Sequence, residues 1–367
     1  MNILSRADRP VAEPSGDAPR VKQRPRLSGW TLAGLASAVV LLVGPVLWFI
    51  TLATPSDEAV RLRNSLLADV GPLADFTWLP ADIPGSYLLE RGPVPAEFTR
   101  IYSDIFAAGM PESDFEKALA IARHLDSAPN AVGGALMETN LNAYHQIITT
   151  GRGYCGDYTQ VFNAIAIAGG IPVREWGIGF DGFASGHAFN EIFDRQSGRW
   201  MMIDAFHSLY FADADSRQPL SVLEIRERLH RQGTEQKILV LPIVEKRFAF
   251  RSIGAAEHYY SRGMDQLFLW WGNNVFTYER SRLVELAGRA SRSAEQLTAI
   301  MLGVHPHIHI LADGTMSRDI DILARAQRRL WVATAVLLAG WTIAFIQLWL
   351  IWRARRDSTP GAPRPAP

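Results

Sequence analysis

The single cysteine of the chain, Cys155, has the sequence context of a nucleophile. It lies in the run GRGYCGD, residues 151–157, where a glycine-rich turn leads into an amphipathic segment. A thiolate is the reactive form of cysteine, and the unpaired N–H groups at a helix N-terminus lower the pKa of a thiol. Glycines on both sides let backbone and substrate approach closely. The sequence therefore predicts a thiol that is used chemically, not an inert buried one.

Two downstream residues could supply what a nucleophilic thiol needs, a base and an acceptor that orients the base. His187 lies in the glycine-flanked run SGHAFNE, and Asp204 closes the apolar run WMMID. In acyl transfer Cys155 would attack a carbonyl carbon, His187 would take and return the proton, and Asp204 would fix the imidazole tautomer. The Cys155 N–H could donate to the developing oxyanion. Supporting candidates for the oxyanion site are Asn142, Gln146, Gly153 and Tyr154.

A helix and a hairpin must position these three side chains. Apolar residues at helical spacing after Cys155 predict a helix that ends before Gly169 and Gly170. A four-residue turn at 194–197 would place His187 directly opposite Asp204, with Cβ atoms about 5 Å apart. The strand-like runs are Val173 to Phe180, His187 to Phe193 and Arg199 to Asp204.

Further elements are predicted on either side of this core. Ser113 is a suitable N-cap for a helix that runs to Leu125. Other predicted helices are residues 56–68, Ser221 to His230 and one long helix from Glu279 to Met301; the predicted strands are Lys237 to Val244 and Val304 to Leu311; Asn140 to Thr150 is an apolar segment whose type the sequence leaves open.

Taken in order, these motifs resemble the transglutaminase-like superfamily. They are the glycine-x-cysteine that opens a helix, then GIPVR at 170–174, HAFNE at 187–191 and WMMID at 200–204. The resemblance covers about residues 115–210. It implies an α+β, papain-related core in which a catalytic helix packs on an antiparallel sheet and Cys155, His187 and Asp204 form the triad. It also implies a thiol acyltransferase or hydrolase (a protease, an amidase or a transglutaminase) that needs no cofactor.

Two charge-free apolar segments, Trp30 to Ala53 and Leu330 to Trp352, bracket the rest of the chain. Each is long enough to cross the ~30 Å hydrocarbon layer as a helix, which takes about 20 residues. Tryptophans lie near their ends, as in an interfacial aromatic belt. The first segment is longer than a cleaved signal sequence, whose apolar region has about 7–15 residues, and no good cleavage site follows it. We therefore predict two transmembrane anchors.

Basic residues outside the two segments predict the orientation. Four lie at residues 20–26 and three at residues 353–356. We expect a bacterial inner-membrane protein with both termini cytoplasmic and the catalytic region periplasmic. Arg325, Arg328 and Arg329 lie on the other side of the second segment and oppose this orientation. A single cysteine suits an oxidising compartment, because the chain holds no second thiol with which it could mispair.

These boundaries divide the chain into five predicted parts. Disordered cytoplasmic tails occupy residues 1–27 and 353–367, and transmembrane helices occupy residues 28–53 and 330–352. The periplasmic region, 54–329, contains the transglutaminase-like core at about 112–212 and an α/β C-terminal extension at 213–329. With 37 basic and 37 acidic residues, the chain has no net field for nucleic acid. Expected partners are the membrane, a protein, peptide or glycan-linked amide substrate in the envelope, and proteins of an envelope complex.

Two other functions stay open at the level of sequence. One is a non-catalytic transglutaminase-like scaffold in an envelope or polysaccharide assembly complex. The other is a dinucleotide-binding protein that uses the GxGxxG run at 151–156, with residues 146–150 as the leading strand and Glu175 as the ribose-binding acid. No succession of βα units follows that run, and His187 and Asp204 would have no role in such a protein. We favour the cysteine enzyme.

Three histidines, His305, His307 and His309, share one face of the predicted strand Val304 to Leu311. The outer two are about 13 Å apart, too far to bind one ion together, although two of them with a partner from elsewhere could do so. We interpret them as solvated or structural histidines and predict no metal site. The sequence contains no HExxH, CxxC or GxSxG, the signatures of zinc proteases, redox dithiols and serine hydrolases.

Overall fold

The computed structural model describes residues 29–53, 56–128, 133–134, 136, 138–230, 237–312 and 317–357. They belong to two compact units, one made of residues 49–332 and the other of the residues before and after that range. The helices are α1 (Gly29–Ala53), α2 (Ser56–Leu67), α3 (Ala96–Ile105), α4 (Asp114–Leu125), α5 (Asn140–Thr150), α6 (Cys155–Ala168), α7 (Val222–His230), α8 (Ile253–Met264), α9 (Val275–Glu279), α10 (Arg282–Gly288), α11 (Arg292–Met301) and α12 (Ser317–Asp357). The strands are β1 (Ala68–Gly71), β2 (Val173–Phe180), β3 (Ser185–Asp194), β4 (Arg199–Ile203), β5 (Leu209–Asp213), β6 (Ile238–Pro242), β7 (Leu267–Trp270) and β8 (Ile308–Leu311).

A six-stranded sheet with the order β1-β8-β7-β2-β3-β4 forms the centre of the larger unit. Its neighbouring strands are antiparallel except for the parallel pair of β1 and β8. Strands β7 and β8 come from residues that we predicted as a C-terminal extension, yet they continue the same sheet as β2 to β4. The predicted α+β class, with helices packed on a largely antiparallel sheet, is confirmed.

Helices cover both faces of this sheet. Adjacent residues of a strand point to opposite faces, so each strand contributes side chains to both helix layers. On β2, Glu175 faces α6, where Asn163 donates to its carboxylate over 3.2 Å. Trp176 and Ile178 point to the opposite face of the sheet, where they are fully buried in a cluster that includes residues of α7 and α8. His187 pairs with Ile178 across the β2–β3 ladder and therefore lies on the α8 face.

Helix α6 begins at Cys155 and ends just before the glycine pair, as predicted. Its apolar positions fit the 3.6-residue period, and they are buried in a cluster shared with α3, α4 and α5. Burying each such side chain contributes roughly 1.5–3 kcal/mol. The residues of this stripe are Tyr158, Val161, Phe162 and Ile165. Packing of this apolar stripe thus fixes the position of helix α6, which carries the Cys155 thiol.

The predicted register of the β3–β4 hairpin is wrong by two residues. Phe193 pairs with Trp200 and Asp194 pairs with Arg199, so the four-residue loop is 195–198 and not 194–197. The reason is the Asp194 side chain, which accepts from the Ser197 N–H over 2.9 Å and keeps Asp194 inside the strand. A shift of two residues preserves the face of every side chain. His187 and Asp204 therefore remain on one face, diagonal to each other and not directly opposed.

Two further expectations need correction, and one open segment is settled. The predicted long helix from Glu279 to Met301 is broken into α10 and α11, because Ser291 caps a new helix by accepting from the Ala294 N–H over 3.1 Å. The predicted strand Val304 to Leu311 is reduced to β8, so His305 and His307 precede the strand. The open segment Asn140–Thr150 is a helix, α5.

Helix α2 holds the turn between β2 and β3. Arg61 donates to the carbonyl oxygens of Asp181 and Gly182 over 2.8 and 3.2 Å, and Asn64 donates to that of Phe183 over 3.0 Å. Asp181 and Phe183 have positive φ values of 52° and 61°, which non-glycine residues seldom adopt. The first turns of α12 pack on the same loop. Contacts from α2 and α12 therefore hold a turn whose backbone conformation is energetically unfavourable.

The smaller unit contains α1 and the C-terminal part of α12. By length and composition, Gly29–Trp48 and Arg318–Ala354 could each cross a membrane. Residues 319–329 continue directly into the second apolar segment. Helix α12 extends to Asp357, so residues 353–357 are helical and not an irregular tail. The guanidinium groups of Arg353 and Arg356 lie over the rings of Trp349 and Trp352, four residues earlier, at 5.4 and 5.5 Å. The other predicted tail residues lie outside the described ranges.

Candidate active site

Cys155 is the first residue of α6, and the loop before it fixes that start. Gly153 has φ 149°, a conformation that L side chains rarely adopt. Asp157 then accepts from the Tyr154 N–H over 2.8 Å and from the Leu136 N–H over 3.2 Å, so one carboxylate caps the helix and holds the preceding segment. The glycine-rich run therefore serves the reversal from α5 into α6.

The sulfur of Cys155 lies against β3. The backbone N–H of Ala188 and the charge of Asp204 both act on the pKa of its thiol. Ala188 directly follows His187, so the thiol reaches the strand beside the imidazole. Cys155 is partly exposed, whereas His187 and Asp204 are buried. The structure thus places Cys155 near Asp204, the carboxylate that contacts His187.

The imidazole of His187 is held by Asp204. Its Nε2 contacts Asp204 Oδ2 in a short hydrogen bond between two buried side chains. Because ionised Asp204 can only accept, Nε2 must carry the proton, and Nδ1 is left as the acceptor nitrogen of the ring. This is the tautomer in which His187 can take a proton from a neighbouring thiol.

Two residues that we did not predict complete this network, His207 and Tyr260. The Tyr260 hydroxyl donates to Asp204 Oδ2, and the His207 backbone N–H donates to Asp204 Oδ1 over 2.8 Å. The Tyr260 proton is then used, so its oxygen accepts from His207 Nδ1 over 3.0 Å. The only sequence signal for His207 was its position three residues after Asp204, at a turn. Tyr260 comes from α8, and nothing in the local sequence connects it to the site.

The rings around His187 limit its movement. The His207 ring stacks on it with centroids 4.0 Å apart and planes 20° apart. Phe189, Phe206 and Tyr259 contact it at centroid distances of 5.9, 6.0 and 5.9 Å. An imidazole enclosed in this way keeps one orientation, which proton transfer requires.

The charges of the site follow from burial and from its hydrogen bonds. Burial, assisted by the neighbouring His207, lowers the pKa of His187 below its ordinary value in spite of Asp204, so the ring is neutral at pH 7. Burial opposes the charge of Asp204, but the charges and hydrogen bonds of His187 and His207 hold the pKa of this carboxyl well below its usual range. The site therefore pairs a neutral base with an ionised orienting group.

The pKa of the thiol contradicts the expectation from helix position. Burial raises the pKa of Cys155 to about 11, and the charges of Asp204 and Glu175 act in the same direction. The N–H groups of Ala188 and Gly156 oppose this rise without cancelling it. Desolvation outweighs the helix N-terminus here. The resting residue is a thiol, so its chemistry depends on His187 as a base.

The supporting candidates have different positions. Tyr154 and Gly153 lie in the loop directly before Cys155. Asn142 is exposed on the first turn of α5, where its amide donates to Glu138 over 3.2 Å. Gln146 lies one turn further along α5, and its backbone carbonyl accepts from the Thr150 hydroxyl over 2.7 Å. Their roles toward an oxyanion remain predictions.

Two motif residues, Arg174 and Glu191, serve the fold. They face each other across β2 and β3, and Arg174 Nε donates to Glu191 Oε2 over 2.6 Å. Glu191 also accepts from the Trp176 indole over 2.7 Å and from the Val222 N–H over 2.8 Å. The guanidinium lies 4.1 Å from the centroid of Trp200. Such a buried pair is satisfied on all sides and fixes the sheet that carries His187.

The dinucleotide-binding alternative fails on the same geometry. The GxGxxG run follows helix α5, where that fold needs a strand. Glu175, its proposed ribose ligand, is buried and accepts from Asn163 and Gln160 of α6. Burial raises the pKa of Glu175 to about 8, in spite of these hydrogen bonds. This residue ties α6 to the sheet.

Two groups of side chains in the described residues have ligand atoms close enough to hold a metal ion. In the first, His187, Asp204 and His207 lie within 4.8 Å of one another. Asp204 Oδ2 already accepts from His187 and Tyr260, an arrangement that serves proton transfer and leaves no lone pair of this oxygen directed at an ion. In the second, Asp69, His307 and His309 lie at the far edge of the sheet.

Three comparisons with known proteins gave one match. Neither the curated proteins nor the solved structures gave a match. A family model does match residues 104–205, which include Cys155, His187 and Asp204 and make up a little over a quarter of the chain. That family is described as the transglutaminase-like superfamily, and the chain therefore contains a transglutaminase-like domain.

Proposed function

We propose that the protein is a membrane-anchored cysteine enzyme that performs acyl transfer or amide hydrolysis with Cys155, His187 and Asp204. The observation that carries this proposal is the joint placement of the three groups. The Cys155 thiol lies close enough to Asp204 for that carboxylate to act on its pKa, and the buried His187–Asp204 bond leaves Nδ1 as the acceptor. A scaffold has no need of a reachable thiol beside a neutral imidazole that a carboxylate orients.

The raised thiol pKa fixes the order of proton movement. As the sulfur attacks an amide or ester carbonyl carbon, its proton passes to Nδ1 of neutral His187, and the carbonyl oxygen becomes an oxyanion. His187 then gives the proton to the leaving amine or alcohol, and a thioester forms on Cys155. Water or an amine attacks that thioester, again through His187, and the thiol is restored. Asp204 stabilises the imidazolium formed in each step.

The oxyanion needs donors, and we assign two groups to this task. One is the Cys155 backbone N–H at the start of α6. The other is the Tyr259 hydroxyl, whose ring contacts His187 at 5.9 Å. Burial raises the pKa of Tyr259, and so do the charges of Asp204 and Cys155. Such a phenol stays protonated and can donate throughout the reaction.

The two apolar helices support a location at the membrane. We propose that α1 and the C-terminal part of α12 are inner-membrane anchors and that residues between them face the periplasm, as the basic residues outside the helices favour. The substrate would then be a protein, a peptide or a glycan-linked amide of the envelope. Charge balance over the chain gives no support for a nucleic-acid substrate.

Trapping the thioester tests the proposed enzyme directly. The full chain in detergent is mixed with bacterial envelope extract, quenched in acid, digested and analysed by mass spectrometry. We expect an acyl adduct on Cys155 in the parent chain and none in His187→Ala, whose thiol is intact but lacks its base.

Absence of an adduct in a folded parent chain would overturn the enzyme and favour the scaffold. A second measurement separates the two in cells. If Cys155→Ala restores every phenotype of a strain that lacks the protein, the thiol has no chemical role and the domain acts by binding alone.

A further inference from the structure

We propose that Asp69, His307 and His309 form a binding site for a divalent transition-metal ion, with Zn²⁺ as the best match. The three side chains offer two imidazole nitrogens and one carboxylate oxygen, a ligand set that zinc accepts in sites with one open position. Their ligand atoms all lie within 4.8 Å of one another. The cluster lies at the β1 edge of the sheet, separate from Cys155, and does not depend on the proposed enzyme.

Distances within the cluster approach those of a tetrahedral site. Metal–ligand bonds of about 2.0–2.2 Å place neighbouring ligand atoms about 3.3–3.5 Å apart. Asp69 Oδ2 lies 3.3 Å from His309 Nδ1 and 3.8 Å from His307 Nε2. Small side-chain rotations would therefore bring all three atoms to one ion. The parallel pairing of β1 and β8 sets this geometry, because Asp69 is the register partner of His309.

The buried nitrogen of His309 is the second, independent observation. His309 is 5 % exposed, and its Nδ1 has no hydrogen-bond partner among the described residues. The 3.3 Å approach of the Asp69 carboxylate lacks hydrogen-bond geometry. Two acceptors facing each other in a partly buried place are unfavourable, and a cation between them removes the conflict.

Asp75 gives His309 the outer support that metal-binding histidines usually have. Its Oδ2 accepts from His309 Nε2 over 3.1 Å, so Nε2 holds the proton and Nδ1 presents its lone pair to the cluster. The chain leaves space for this bond at Gly71. A Cβ there would collide with both His309 Nε2 and the Asp75 carboxylate. The carboxylate–histidine pair is therefore built into the strand sequence.

Packing and solvent access also fit a bound ion. Phe76 and Trp271 hold the His309 ring at centroid distances of 4.9 and 4.4 Å. The Asp69 side chain is 62 % exposed and that of His307 is 35 % exposed, which leaves a path for the ion and a position for water as the fourth ligand. The ion would fasten the edge strand β1 to β8 and so join distant parts of the chain.

Metal binding by full-length Cys155→Ala protein in detergent tests this site without interference from the thiol. After chelator treatment and dialysis, Zn²⁺ stoichiometry is measured by elemental analysis, and Co²⁺ is followed by its visible absorption. We expect one ion per chain. Asp69→Asn and His307→Ala should weaken binding at least 100-fold, and Asp75→Asn, which removes only the outer support, by about 10–100-fold.

His305→Ala is the matched control, because that ring contacts Trp270 and Tyr278 and not the cluster. It should bind like the parent. Failure to bind one ion, an equal loss in His305→Ala, or full affinity in Asp69→Asn would overturn the proposal. Binding that is lost only in His207→Ala would move the ion to the candidate active site and would equally overturn it.

Discussion

The described part of the chain contains two carboxylate–histidine clusters on one sheet, and they differ in how completely their polar atoms are used. Asp204 accepts from His187, Tyr260 and the His207 backbone, and it is fully buried. The cluster of Asp69, His307 and His309 has its carboxylate in solvent and a buried ring nitrogen without a hydrogen bond among the described residues.

The difference teaches what each cluster can do. A network whose donors and acceptors match needs no further ligand, and it can move a proton without a change in geometry. A network with one lone pair left over, directed at a carboxylate, is complete only when a cation is added. Residue composition alone would have classed the two clusters together. Their hydrogen bonds separate them.

Replacing one carboxylate in each cluster by an amide should give the largest difference in turnover between two variants. Asp204→Asn removes the acceptor that fixes the His187 tautomer, so we expect turnover of the trapped substrate to fall by roughly 10³–10⁴-fold. Asp69→Asn, at the other edge of the sheet, should keep turnover within about twofold. A comparable loss in both variants would show that the clusters act as one site and would break the comparison.

The protonation state of Cys155 should appear as slow alkylation at neutral pH. With the pKa raised to about 11, the thiolate fraction at pH 7 is roughly 300-fold below that of a free thiol, whose pKa is about 8.5. Because the folded pKa is raised, iodoacetamide reactivity should climb through about pH 11. A midpoint below 8.5 would mean that the sulfur and His187 form an ion pair at rest.

Phenylalanine substitutions of two neighbouring tyrosines should have the smallest effects: Tyr260→Phe on stability and Tyr259→Phe on turnover. Tyr260→Phe removes a hydrogen bond to a buried carboxylate, which costs about 1.5–3 kcal/mol of unfolding free energy. Its melting temperature at pH 7 should fall by several degrees. Tyr259→Phe should leave the melting temperature within about 2 °C and lower kcat by roughly 10–100-fold. Equal melting losses, or no change in kcat for Tyr259→Phe, would contradict these assignments.

Much of the core could be predicted because its signals are local. Apolar spacing defined α6, the glycine pair ended it, and Ser113 capped α4 through the Glu116 N–H at 3.1 Å. The hairpin contact was predicted for a partly wrong reason. Asp194 lies inside the strand because of its own side-chain bonds, but an even shift kept His187 and Asp204 on one face.

The remaining features depend on contacts between distant parts of the chain. Tyr260 reaches Asp204 from α8, 56 residues away, and no local periodicity encodes that approach. Asp69 meets His309 only because β1 pairs in parallel with β8. The thiol pKa was predicted in the wrong direction, since helix position is visible in a sequence whereas desolvation by a folded neighbour is not.

The contacts that α2 and α12 make with the β2–β3 turn limit how far the protein could be shortened for study. The strained residues Asp181 and Phe183 stay in place through donors on α2, and β3 carries His187 only a few positions later. A soluble fragment cut to the family-matched segment 104–205 would discard those donors together with His207, Tyr259 and Tyr260. Inactivity of that fragment would reflect an unsupported β2–β3 turn and the loss of rings that enclose His187, and would say nothing about the full chain.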